Sequence, residues 1–164
     1  ITDVPAICLV TSFADCVPLY FVDPVKKAIG LSHSGWRGTV GRIGQKTIEK
    51  MQKCFGSEPA DILAAVGPSV CMDCYEVSED VILRFREAFD KRVWGDLFYE
   101  KSGGKYQLNL WKANEIIFRE AGILPEHMVV TNLCTHCNSS ILYSHRAQGN
   151  RRGNLCAFLA LKKD

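Results

Sequence analysis

No apolar run in this chain is longer than a single strand. The longest, residues 5–10 and 156–161, fall far short of the ~18 residues that a membrane-spanning helix requires. Short runs punctuated by Gly, Pro and Asp bury themselves best side by side, so the pattern predicts strands at 6–11, 19–22, 28–32, 62–66, 128–131, 141–144 and 155–161. Asp23-Pro24-Val25-Lys26-Lys27 reads as the turn between the second and third. Between the strands lie helical patterns. Val40, Ile43, Thr47, Ile48, Met51 and Phe55 recur at steps of three and four, predicting a helix over 39–55 that stops at Gly56. A second is expected over 79–89, with Ser78 as N-cap, and a third over 111–121, with Asn109 near its start and Gly122 past its end. Residues 94–108 read as a loop or weak hairpin around Ser102-Gly103-Gly104. Strands and helices mix without strict alternation, so the expected fold class is α/β (α+β): one domain, residues 1–164, with a mixed sheet covered by helices.

Composition narrows the function classes. Twenty basic and eighteen acidic residues leave a net charge of +2, which excludes a strongly basic nucleic-acid binder. No aromatic-interleaved basic motif points to nucleic acid either. No signal peptide is visible, and Ile1 stands directly ahead of a strand, so the chain is expected to begin within a longer protein. Eight cysteines are too sparse for a disulfide scaffold, and several lie in apolar strand patterns where a reduced thiol packs. The expected setting is reducing and cytoplasmic, without membrane partners.

Two segments carry the densest chemistry. In Thr11-Ser12-Phe13-Ala14-Asp15-Cys16-Val17-Pro18 a strand ends, and a cysteine sits beside an aspartate. In His33-Ser34-Gly35-Trp36-Arg37-Gly38-Thr39 an expected strand passes into an expected helix through two glycines. The helix start and Arg37 would favour an anion. Cys16 and His33 both fall at C-terminal strand ends, where sheet proteins place their sites. Brought together by the intervening hairpin, they would make either a zinc pair or a nucleophile–base pair. A third segment, His145-Arg146 with Arg151-Arg152, reads as a phosphate or nucleotide clamp or as a solvated basic loop.

Cys71-Met72-Asp73-Cys74 and Cys134-Thr135-His136-Cys137 are two C-x-x-C pairs. The gap between them far exceeds the roughly 15–20 residues of familiar paired knuckles, which argues against a zinc site shared by the four. Neither pair opens a helix after a strand, which argues against a thioredoxin-like redox motif.

Ala14-Asp15-Cys16-Val17-Pro18, His33-Ser34-Gly35-Trp36-Arg37-Gly38-Thr39, Gly67-Pro68-Ser69 with Tyr75-Glu76-Val77, and Ser144-His145-Arg146 together resemble the laccase-domain family. That family was first described as multicopper polyphenol oxidase and is now linked to purine nucleoside phosphorylase and adenosine deaminase activity. The resemblance implies phosphorolysis of adenosine, inosine or methylthioadenosine to the base and ribose 1-phosphate, and hydrolytic removal of the adenine amino group. It implies one zinc held by two histidines and a cysteine. Cys16 and His33 match two of these ligands, and the remaining histidine lies upstream of the Ala-Asp-Cys motif, where this chain has none. The chain is therefore expected to lack the N-terminal part of its domain. It also implies catalytic roles for Cys16, His33, Asp15 and Arg37, and substrate or phosphate binding by Arg37, Ser144, His145 and Arg146. Asp15 would orient a ligand, shuttle a proton or merely cap a strand end. The family's C-terminal Ser-x-Arg-Arg is altered here: Ala147 replaces the second Arg and Asn154 follows Gly153, with Arg151 and Arg152 nearby to compensate.

Other readings remain open at this level. Cys16 and His33 would serve equally in a metal-independent cysteine hydrolase or deamidase. The domain would otherwise be non-enzymatic, stabilised by zinc or binding a partner. A multicopper centre needs many more histidines than His33, His127, His136 and His145, so copper is not expected. Nothing in the pattern specifies an oligomeric state.

Overall fold

The computed structural model describes residues 1–163. In chain order it places β1 (Cys8–Phe13), β2 (Val17–Asp23), β3 (Ala28–Ser34), α1 (Trp36–Val40), α2 (Ile43–Phe55), β4 (Leu63–Val66), β5 (Glu76–Ser78) and α3 (Glu79–Ala88). There follow α4 (Trp94–Leu97), β6 (Phe98–Lys101), β7 (Lys105–Leu108), α5 (Leu110–Glu120), β8 (Met128–Val130), α6 (His145–Gln148) and β9 (Leu155–Ala160).

Asp23 builds the turn that starts the main sheet. Its Oδ1 accepts from the N–H groups of Val25 and Lys26, each at 2.9 Å, which folds β3 back on β2. β2 then pairs with β4 on its other side, and β4 pairs in parallel with β8, giving the order β3-β2-β4-β8. The sheet is mixed, as expected. Leu19 and Phe21 of β2 are wholly buried, as suits a strand covered on both edges. α2 lays Ile48 and Met51 into the core, and α5 adds Ile117 and Phe118. Phe118 meets Phe21 edge to face at 5.2 Å. β1 and β9 form an antiparallel ribbon, and β5-β7-β6 a small antiparallel sheet. No described helix is long and apolar enough to cross a membrane.

Three local expectations change, and a fourth, the hairpin around Gly103 and Gly104, holds. The strand expected over 6–11 forms over Cys8–Phe13, and Cys8 and Cys156 on the ribbon are exposed rather than packed. The helix expected over 39–55 is two helices. Arg42 adopts φ 57°, its guanidinium bonding Gln45 Oε1 at 2.6 Å and pairing with Glu120 of α5, and this breaks the chain between α1 and α2. Residues 94–108 form the short α4 and a true hairpin, β6–β7, turned through Gly103 and Gly104 at positive φ. No strand forms over 141–144: Ile141 is 77% exposed, the chain turns back on Asn138, and Ser144 caps α6. The Asn109 cap is present, its side chain accepting from Lys112 N–H.

Candidate active-site cleft

The β2–β3 register brings the two sequence segments together. Pro18 lies opposite His33 and Val17 opposite Ser34, so Cys16, directly ahead of β2, comes level with the end of β3. The Cys16 sulfur rests against Gly35: a Cβ there would stand 3.0 Å from Sγ. His33 is exposed. Its Nδ1 lies 3.1 Å from the Ser12 carbonyl and 3.5 Å from Thr11 Oγ1, an arrangement that places the proton on Nδ1 and leaves Nε2 free as a donor atom for a metal.

The end of β3, which carries His33, is held from beneath by buried polar contacts. Ser34 Oγ donates to Asn114 Oδ1 at 3.0 Å and shares a 2.9 Å hydrogen bond with Thr39 Oγ1, while Asn114 Nδ2 donates to the Leu110 carbonyl. All three side chains are fully buried. Asn114 was not singled out in the sequence, although a polar residue on the apolar face of α5 was a readable signal.

Asp15 is only 6% exposed and joins three segments. Its Oδ1 accepts from Thr135 Oγ1 at 2.6 Å, its Oδ2 from the Arg146 N–H at 2.7 Å, and its carbonyl from Val70 N–H at 3.1 Å. Its φ of 77° is a left-handed conformation that Asp tolerates better than most residues. This is more than a strand-end cap: the side chain ties two points of the 131–146 segment beside Cys16, and the backbone carbonyl ties the 67–75 segment.

Beside these residues opens a cleft of about 280 Å³, lined by Asp15, Cys16, Tyr75, Leu110, His145, Arg146 and Arg152 among others. The Arg146 guanidinium stacks on the Tyr75 ring at 4.8 Å. Burial pushes the Tyr75 hydroxyl up to about 12, so it stays protonated near neutrality. Arg152 donates to His145 Nδ1 at 3.3 Å and to Asn154 at 2.7 Å. Burial also raises the Cys16 thiol, and Asp15 adds to the rise, with Arg152 acting against it.

The candidate residues do not all converge. Cys16, Asp15, His145 and Arg146 line the cleft, whereas His33 and Arg37 do not. Arg37 stacks on its neighbour Trp36 at 4.2 Å, and Trp36 lines the adjoining hollow that shares Tyr75 and Arg146 with the cleft. Ser144, expected to touch substrate, is fully buried, and its Oγ accepts from Ala147 N–H as the cap of α6. Leu110 is a lining residue the sequence did not suggest, and Arg152 lines the cleft where Arg151 does not.

By donor type Cys16 and His33 suit zinc: a sulfur, and an imidazole nitrogen oriented through the ring's other nitrogen. Gly35 has φ −73°, which alanine adopts freely, so Gly35→Ala acts on the site only through Cys16. If Cys16 and His33 hold a metal, the substitution should weaken its binding by about 10–100-fold, with little change in unfolding midpoint, as read by competitive metal titration.

The structure overturns the argument against a joint four-cysteine site. β4 and β8 are parallel neighbours, and the pairing continues past their ends in a bridge between Ser69 and Cys134. Both C-x-x-C segments thus leave the same edge of the sheet. The sulfurs of Cys71, Cys74, Cys134 and Cys137 all lie within 4.8 Å of one another, a group that could bind a metal. Sequence separation misled because a parallel pairing brings distant residues level. Among the described residues this is the only such group of three or more His, Cys, Asp or Glu side chains.

Residues 1–162 match the family described as multi-copper polyphenol oxidoreductase laccase. The purine nucleoside phosphorylase YlmD of Bacillus subtilis (strain 168) is 38% identical over 156 residues, covering 94% of this chain and 55% of that protein. Adenosine deaminase RL5, from an unknown prokaryotic organism, is 34% identical over 93% of this chain and 58% of its own length. The crystal structure of YlmD from Geobacillus stearothermophilus superposes with a TM-score of 0.91 at 34% identity, over 98% of this chain and 59% of that one. The chain thus spans somewhat more than half the length of these relatives. With the motifs, the fold and the match all running the length of the chain, it belongs to the multi-copper polyphenol oxidoreductase laccase family.

Proposed function

We propose that this chain carries the nucleoside-processing cleft of a zinc-dependent purine nucleoside phosphorylase that also deaminates adenosine. The observation that carries the reading is the cleft itself, where Cys16 stands at the edge of a hollow with an apolar floor and a cationic rim. Tyr75 and Leu110 offer the floor for a purine ring, and His145, Arg146 and Arg152 offer donors for a phosphate. The relatives named purine nucleoside phosphorylase and adenosine deaminase support both branches of the chemistry.

Cys16 and His33 would hold the zinc together with a ligand from outside these residues, and the metal would supply Lewis-acid polarisation and water activation. The chain's own residues do the rest. Arg146 and its neighbours hold phosphate against the sugar. In phosphorolysis a phosphate oxygen bonds to the sugar C1′ as the C1′–N9 bond breaks. The bonding pair leaves with the purine, which takes up a proton. In deamination water adds at C6 and ammonia leaves. Asp15, with both carboxylate oxygens already accepting hydrogen bonds, acts as a positioning residue.

Chromatography of adenosine incubated with the full-length protein tests the reading. Adenine that appears only with phosphate supports phosphorolysis, and inosine formed without phosphate supports deamination. Neither product from zinc-loaded protein would reject both. Arg146 offers a finer test, because Asp15 is bonded to its backbone N–H, which any residue but proline retains. Arg146→Lys keeps that link and loses the planar fork. We expect KM for phosphate to rise about 10-fold or more, with the unfolding midpoint nearly unchanged.

A further inference from the structure

The four-cysteine cluster lies outside the cleft and plays no part in the chemistry proposed above. We propose that Cys71, Cys74, Cys134 and Cys137 hold a second, structural zinc that staples the 67–75 and 131–139 segments together and so fixes the carboxylate of Asp15.

The spacing fits the metal. Four sulfurs on a tetrahedral zinc, each about 2.3 Å from it, stand about 3.8 Å apart. Here all four fall within 4.8 Å of one another, and Cys74 and Cys137 are 3.5 Å apart, far beyond a disulfide bond. The backbone is arranged for a thiolate. The N–H groups of Cys71 and Cys137 both point at Cys134 Sγ, at 3.3 and 3.4 Å, so each C-x-x-C segment donates to the same sulfur. Two N–H donors on one sulfur offset the negative charge that four thiolates impose on a divalent ion. Each thiol gives up its proton as the metal binds. An all-sulfur tetrahedron with no open position suits structural zinc and leaves no place for substrate.

The connection to the cleft is short. Thr135, whose hydroxyl donates to Asp15, follows Cys134 directly. Val70, whose N–H donates to the Asp15 carbonyl, directly precedes Cys71. The segments also meet through Ser69 N–H to the Leu133 carbonyl and Thr135 N–H to the Ser69 carbonyl. Ser69 Oγ is further held by Trp111 Nε1 at 2.6 Å. A metal between the two C-x-x-C pairs would brace the one place where both segments grip Asp15.

The test uses full-length protein, purified with reductant and without chelator, and counts metal by mass spectrometry in the wild type, Cys16→Ala and Cys74→Ser. The proposal expects Cys16→Ala to retain the cluster zinc and Cys74→Ser, still folded by circular dichroism, to lose it. Should Cys74→Ser not fold, the exposed Cys137→Ser and cobalt(II) substitution replace it. Wild-type protein should then show the intense sulfur-to-cobalt charge-transfer bands of a four-thiolate site, weakened in Cys137→Ser. Hydrogen exchange supplies a readout apart from activity: removing the zinc should speed exchange at the amides of Val70 and Thr135 while sparing α2. Metal content unchanged in folded Cys74→Ser, iron in place of zinc, absence of thiolate bands with cobalt, or exchange unaltered on metal removal would each overturn the proposal.

Discussion

Asp15→Ala is expected to destabilise the fold by about 3–5 kcal/mol, and Asp15→Asn by only about 1–2 kcal/mol. The buried carboxylate accepts two charge-assisted hydrogen bonds, from Thr135 Oγ1 and from the Arg146 N–H. Alanine leaves the buried Thr135 hydroxyl and the partly buried Arg146 N–H without a partner and must itself adopt the left-handed conformation at φ 77°, a further cost of about 1 kcal/mol. Asparagine tolerates that conformation. Its Oδ1 can accept from Arg146 while its amide donates to Thr135, whose hydroxyl turns to accept. Urea unfolding of the three proteins measures the difference. Equal losses for the two variants, or an alanine variant within about 1 kcal/mol of wild type, would mean that the Asp15 contacts do not hold the loops.

Cys16→Ala should lower nucleoside phosphorolysis by at least about 1,000-fold while leaving the fold intact. Removing its single sulfur ligand deprives the proposed zinc of its place, and a metal acting as Lewis acid contributes several kcal/mol to a transition state. The side chain is small and half-buried, so its loss from the edge of β2 opens little space. Chelation separates the metal reading from a cysteine nucleophile. Under the metal reading a chelator silences the wild type, and added zinc restores it. If Cys16 itself attacked substrate, Cys16→Ala would be dead while the chelated wild type kept its rate. Turnover retained in Cys16→Ala would remove this residue from the chemistry altogether.

What was readable in the sequence depended on whether the signal was local. The β2–β3 hairpin announced itself because Asp23 and Pro24 encode a turn within five residues. Asn109 and Gly122 bounded α5 for the same kind of reason, a side-chain cap at one end and positive φ at the other. The break at Arg42 was hidden because the apolar period runs through it unchanged, and the kink is stabilised by Glu120, far away in the chain. The run at 141–144 looks like a strand, but no neighbouring strand takes it up, and Ser144 is used as a cap. The approach of the Ala14–Pro18 segment to the end of β3 was foreseeable from a hairpin alone. The four-cysteine cluster was not, because it depends on β8 lying parallel to β4, a topological fact that leaves no mark at either C-x-x-C. Asp15 was visible as a candidate, but its partners Thr135 and Arg146 come from a segment whose path only the fold reveals.

A crystal structure of the full-length protein grown with adenine and phosphate would test the central claim most directly. The account predicts the purine over Tyr75 and Leu110, the phosphate within hydrogen-bond reach of Arg146, and a metal on Cys16 and His33. A purine seated instead in the hollow between Tyr20, Leu63 and His127, or a cleft beside Cys16 that stays free of both ligands at saturating concentration, would contradict it.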